Sequence, residues 1–146
     1  MKKVKLGIIG LGQRGAAYGM KDGSIGLLGN ILANSENVTV TALCDLRPER
    51  VEAAAKIVTS KGHEKPFCST DYNDILKSGV DAVIVSTSWD AHVEIALASM
   101  RAGVTVAIEV GGAHGLEECW ELVNSTKKLK PRLCSSKIAA ITRMSF

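Results

Sequence analysis

Aromatic side chains are scarce in this chain, at 4% of 146 residues, and proline occurs only three times. With nearly half the residues apolar and 14 glycines, that mixture suits an α/β domain with close helix–sheet contacts better than a β-sandwich. Charge of one sign is also lacking. Eighteen basic residues are interspersed with 15 acidic ones for a net +3, with no basic stripe interleaved with aromatics, so no nucleic acid is expected as a partner. The four cysteines, Cys44, Cys68, Cys119 and Cys134, form no CxxC pair and have no histidine at zinc-ligand spacing. This speaks against a metal site or a disulfide framework and for reduced thiols in a cytoplasmic protein. No apolar run is long enough to span a bilayer, so no membrane is expected. The opening MKKVKLGIIGLG has too short an apolar stretch for a signal peptide.

What is there reads as alternating strands and helices. Val4–Ile9 is a short β-branched run, followed by a glycine turn and an Ala-containing helical stretch. Gly19, Gly23, Gly26 and Gly29 interrupt that helix, predicting an extended loop or a broken helix before the strand Val38–Cys44. A helix then starts at Pro48 and stops near Gly62; strands follow at 80–87 and 104–108, with helices at 91–103 and 116–129. Such alternation predicts a doubly wound parallel sheet with right-handed crossovers, a Rossmann fold in a single domain. At this length there is room for one domain, not for a cofactor domain and a full substrate domain.

The stretch GIIGLGQRG places Gly10, Gly12 and Gly15 in GxGxxG spacing between a strand and a helix. The first glycine permits the tight turn, the second lets backbone approach a pyrophosphate, and the third lets helix and strand pack closely, with the phosphates on the helix N-terminus. Gln13 and Arg14 lie inside the same loop. Asp45, closing the second strand, is positioned to accept from the adenosine ribose hydroxyls and to repel a 2′-phosphate, favouring NAD over NADP. Two other readings stand beside it: Asp45 as a cap for the next helix, and Arg47 as a cation that neutralises a phosphate. On the last helix, Leu116, Trp120 and Val123 share a face and read as core packing. His63 and His114 have no partner pattern and are assigned no role.

The glycine loop, ALCDLRPERV and DAVIVSTSWDAHVEIALASMRAGVTVAIEVGGAHGLEECWELV together resemble the glucose–fructose oxidoreductase/inositol dehydrogenase/MocA (Gfo/Idh/MocA) family over about residues 1–128. The resemblance implies an NAD(P)-binding domain of an oxidoreductase acting on a sugar or polyol, with the family's second α/β domain missing and the chain truncated and not catalytic alone. It places Thr87, Ser88 and Trp89 beside the nicotinamide half of the cofactor and makes Glu109 a contact to the nicotinamide ribose. Ser88 stands where proline is usual, and Glu109-Val110-Gly111 where typical members have Glu-Lys-Pro, so the proton-handling lysine is absent. His92 matches the family's loop histidine and reads as a loop contact, not a proton donor. The EV variant, Ala113 and EECWELV resemble the branch containing NAD-dependent glycosidases, in which hydride removal from a sugar permits elimination of the aglycone before the hydride returns. The alternative is a free-standing NAD-binding regulatory module without turnover. In either case a homo-oligomer is expected, because a cofactor domain without its neighbour exposes apolar surface.

Beyond residue 128 the resemblance stops. Residues 129–146 form a divergent tail, and one choice of synonymous codons for Leu129–Ile141, regrouped from the last base of the first codon, reads ETPFMLLENCCY, similar to the family's continuation. A single-base frameshift is therefore expected to be the origin of the tail, which still supplies a short strand beside 104–108.

Overall fold

The computed structural model describes residues 3–129 and 133–135. The chain opens with β1 (Val4–Ile9), α1 (Gln13–Ala16), α2 (Gly26–Asn34) and β2 (Val38–Cys44). It continues through α3 (Pro48–Ser60), β3 (Phe67–Ser69), α4 (Tyr72–Lys77) and β4 (Ala82–Val85). It closes with α5 (Trp89–Arg101), β5 (Thr105–Ile108), α6 (Leu116–Leu129) and β6 (Leu133–Ser135). All strand pairs are parallel and the sheet order is β3-β2-β1-β4-β5-β6, the order of a doubly wound dinucleotide fold.

Strand alternation sends successive residues to opposite faces, and both faces are covered. Ile8, Leu43 and Ile84 pack with Leu28 of α2 and Val51, Ala54 and Val58 of α3. Their neighbours Ile9, Cys44, Val83 and Val85 pack on the other face with Ile75 of α4, Ala96 and Met100 of α5 and Leu122 of α6. Helices therefore cover both faces of the sheet.

Three features differ from the sequence reading or refine it. The crossover after β1 is a broken helix: α1 is a single turn ending at Ala17, whose φ of 54° is left-handed, and α2 begins at Gly26. A Cβ on Gly26 would lie 2.5 Å from the Ala17 nitrogen, so glycine is what lets the two pieces meet. The elements β3 and α4 carry too few residues to show a period; α4 is set instead by Asp71, which accepts from the Asn73 N–H at 2.8 Å. Finally, Leu116, Trp120 and Val123 are exposed and do not form the core face of α6. That helix packs through Leu122 and through Thr126, whose hydroxyl approaches Met100 Sδ at 3.5 Å.

Among the described residues no helix is long and apolar enough to cross a membrane, and no group of three His, Cys, Asp or Glu side chains could hold a metal ion. The tail strand β6 pairs with β5, Leu133 opposite Val106. The frameshift reading otherwise concerns residues 130–132 and 136–146, which lie outside the described residues.

Candidate functional site

Four strand ends are pinned to one another where the sheet order reverses. The Gly10 N–H donates to the Cys44 carbonyl at 2.8 Å, the Ser86 N–H to the Ile9 carbonyl at 2.8 Å and the Glu109 N–H to the Val85 carbonyl at 3.0 Å. The Ser86 hydroxyl adds a 2.7 Å bond to the Gly10 carbonyl, crossing from β4 to the glycine loop. Between these ends opens a crevice of ≈ 350 Å³, lined by Gly10, Gly12, Asp45, Arg50, Thr87 and Ser88 among others. Ligands of open α/β sheets bind at such a switch point, outside the carboxyl ends of the strands.

The three loop glycines have different reasons to be glycine. Gly10 has φ +94° and its Cβ would lie 2.6 Å from the Ser86 carbonyl; a Cβ on Gly15 would collide with the Gly10 carbonyl oxygen. Both are demanded by the protein's own packing. Gly12 has an ordinary φ of −74°, and its Cβ would meet only the Arg50 guanidinium, with Nη1 at 3.5 Å. A Cβ there would make no clash within the protein and would instead take up space in the crevice that Gly12 lines. The helix that follows the loop, α1, is a single turn of four residues.

Asp45 is 8% exposed, and both of its carboxylate oxygens accept from the protein, although it is not the N-cap of α3, which is Arg47. Its Oδ1 accepts from the Arg47 N–H at 3.0 Å, turning the chain into α3. Its Oδ2 accepts from the Leu11 N–H at 2.7 Å and from Arg50 Nη1 at 3.4 Å. The cation beside Asp45 is thus Arg50; Arg47 contributes its backbone. Arg50 also lies over the Tyr18 ring, 5.6 Å from its centroid, so the broken crossover reaches back to the site. Neither Arg50 nor Tyr18 stood out in the sequence, since nothing local to either marks the contact.

Gly10, Gly12, Asp45, Thr87 and Ser88 share the crevice, whereas Gln13 and Arg14 line a separate recess of ≈ 450 Å³ with Met20, Ser24 and Asn30. Arg14 Nε donates to Glu109 Oε1 at 3.3 Å, bridging the glycine loop to the end of β5. Trp89 turns to the β5–α6 loop: a Cβ on Gly111, which has φ +87°, would collide with its indole. The His114 ring is tilted against that indole at 6.2 Å between centroids, and His114 Nε2 lies 3.2 Å from Asp90 Oδ1. His114 therefore has partners that only the fold supplies. His92 is 1% exposed and donates from Nε2 to the Thr87 carbonyl at 3.2 Å, holding the loop beside the crevice. Burial, and then the Asp45 charge, push the Cys44 thiol up to about 12. Donation to Glu94 at 2.7 Å raises the Tyr72 hydroxyl above its ordinary value.

Residues 4–136 match the Gfo/Idh/MocA family, described as an oxidoreductase family with an NAD-binding Rossmann fold. The chain belongs to this family. Among curated relatives, a glycosyl hydrolase family 109 protein 1 of Phocaeicola vulgatus is 35% identical over 132 residues, covering 87% of this chain and 26% of the relative. A glycosyl hydrolase family 109 protein of Solibacter usitatus is 36% identical over 131 residues, covering 85% of this chain and 28% of the relative. The Gfo/Idh/MocA chain described here thus spans little more than a quarter of the length of these relatives. In fold it is similar to myo-inositol 2-dehydrogenase from Lactobacillus plantarum, with a TM-score of 0.76 at 23% identity over 96% of this chain and 38% of that one. Scyllo-inositol dehydrogenase from Lactobacillus casei, solved with NAD(H) and scyllo-inositol, gives 0.75 at 19% identity over 90% and 35%.

Proposed function

We propose that this chain binds NAD in the crevice at the switch point and is the cofactor domain, residues 1–128 with β6 extending its sheet, of a protein acting on a sugar or polyol. The observation that carries the reading is Gly12, a glycine with negative φ that lines the crevice and whose missing side chain leaves room there. In this reading the pyrophosphate passes Gly12, and Asp45 Oδ1, which has one protein donor, accepts from the adenosine ribose. The Asp45 charge disfavours NADP. Gly10 and Gly15 shape the loop, Thr87 and Ser88 border the nicotinamide half with Trp89 at its rim, and Glu109 reaches the nicotinamide ribose. Gln13 and Arg14 flank the phosphates.

Bound there, a nicotinamide supplies a reversible hydride acceptor for a sugar carbon. The names borne by the curated relatives favour a glycoside as the substrate class. Proton transfer is a different matter: Val110 is aliphatic, and no lysine is among the described residues that line the crevice. We therefore expect the chain by itself to bind cofactor without turnover. A cytoplasmic homo-oligomer fits the reading, since Leu116, Trp120 and Val123 form an exposed apolar stripe on α6. The test is calorimetric titration with NAD and NADP, followed by a panel of glycosides and polyols. NAD binding tighter than NADP, without turnover, is expected; absence of binding by either nucleotide overturns the reading, and turnover by this chain overturns its catalytic part.

A further inference from the structure

Helix α6 carries an apolar stripe that the core of the domain does not use. Leu116, Trp120 and Val123 are 73%, 57% and 42% exposed, while the helix seats itself on α5 through Leu122 and Thr126. At 3.6 residues per turn, positions 116, 120, 123 and 127 fall in one row, the spacing of a helix–helix seam. Lys127 closes that row, and its four-carbon stem extends the apolar strip toward the end of the helix.

Charge is divided along the same helix. Glu117 stands at its start and Lys127 and Lys128 at its end; all three are exposed, and none forms a salt bridge among the described residues. An acidic start and a basic end suit the helix dipole, but the dipole gives no reason for an indole in water between them. Two copies of such a helix, laid side by side in opposite directions, complement each other in both respects. An antiparallel seam sets Trp120 against Val123 of the other copy and Leu116 against its Lys127 stem, each contact repeated by the two-fold axis. The same register brings Glu117 of each copy within reach of Lys127 and Lys128 of the other. A parallel arrangement would instead set acid against acid and base against base, so the charge order selects the direction.

We propose that α6 is a self-association face, pairing antiparallel with α6 of a second copy of this chain. The proposal deepens the homo-oligomer part of the reading above, rests on that part, and is independent of nucleotide binding. From Leu116 to Lys127 the row spans about 16 Å, so the contact falls in the small, weak class and the dimer dissociates reversibly.

Sedimentation equilibrium of the full chain at low ionic strength, from micromolar to millimolar concentration, tests this, and a reversible monomer–dimer equilibrium is expected. Trp120→Glu alters an exposed position and leaves Leu122 in place, so the fold should persist, with thermal unfolding as the check. It should weaken the dimer about thirtyfold or more. Glu117→Lys should weaken it about fivefold, and Glu117→Lys combined with Lys127→Glu and Lys128→Glu should restore it. That triple variant runs against the helix dipole at both ends, so restoration can come only from pairing between copies. A chain that stays monomeric throughout overturns the homo-oligomer reading and this proposal with it. A dimer that Trp120→Glu leaves intact keeps the homo-oligomer and overturns the α6 seam. Should Trp120→Glu fail to fold, the charge series decides: restoration in the triple variant supports the antiparallel seam, and a triple variant no tighter than Glu117→Lys overturns it.

Discussion

The Leu11 amide and the Asp45 carboxylate, 34 positions apart in the chain, meet at 2.7 Å in a buried hydrogen bond that ties the glycine loop to the end of β2. One oxygen of Asp45 is thereby committed to the protein, while the other holds the turn into α3 and has a lone pair to offer a ligand.

Asp45→Ala should therefore be a stability mutation as well as a specificity mutation. It leaves the Leu11 N–H buried without an acceptor, at a cost of about 2 kcal/mol. It also narrows any preference for NAD over NADP by removing the charge that opposes a 2′-phosphate. Urea unfolding and paired titrations measure the two effects, and an unchanged unfolding midpoint would contradict the structural role.

The glycine loop should split into two classes of mutant. Gly12→Val has a negative φ and a Cβ that makes only ordinary contact with Arg50, so the fold should survive within about 1 kcal/mol while dinucleotide binding is lost. Gly15→Ala must move the Gly10 carbonyl, and about 3 kcal/mol of destabilisation is expected from overpacking. Equal unfolding midpoints for the two variants would refute the distinction.

Thiol reactivity gives a pH-dependent check on burial at the crevice. With its pKa raised to about 12, Cys44 stays overwhelmingly protonated at neutral and mildly alkaline pH, so the thiolate needed for alkylation is rare at pH 8. Cys119 is exposed and should be modified ahead of Cys44. Peptide mapping after timed iodoacetamide treatment of the folded chain reads the order; comparable rates at Cys44 and Cys119 would show that β2 opens readily.

Gly111→Pro, which restores the residue usual in the family, should be harmful here. Proline requires φ near −65°, whereas Gly111 has φ +87° and carries the Trp89 indole against its backbone. A loss of about 3 kcal/mol or more is expected, together with a changed Trp89 emission measured in a Trp120→Phe background. A variant as stable as the parent, with unaltered emission, would show that this loop adapts.

By itself the sequence determined whatever depends on neighbours along the chain. Val4–Ile9 and Val38–Cys44 are rich in β-branched residues and short enough to read as strands. Pro48 and Gly103 mark helix ends, and Leu116–Leu129 has the length and charge order of a helix. The spacing of Gly10, Gly12 and Gly15 between a strand and a helix was sufficient to suggest a dinucleotide loop. Residues with no local signature were decided by tertiary structure. β3 and α4 are too short for a periodic pattern, and α6 buries Leu122 where its apolar stripe pointed to Leu116, Trp120 and Val123. Arg47 and Arg50 are both basic residues close to Asp45 in sequence, and only the path of α3 past the broken crossover puts the second one against Gly12 and Tyr18. His114 likewise finds Asp90 and Trp89 only because the loop after β5 folds over the start of α5. Periodicity reports which way a side chain points from its own backbone; what it meets there depends on how separately specified elements stack, and that information is held by the sheet as a whole.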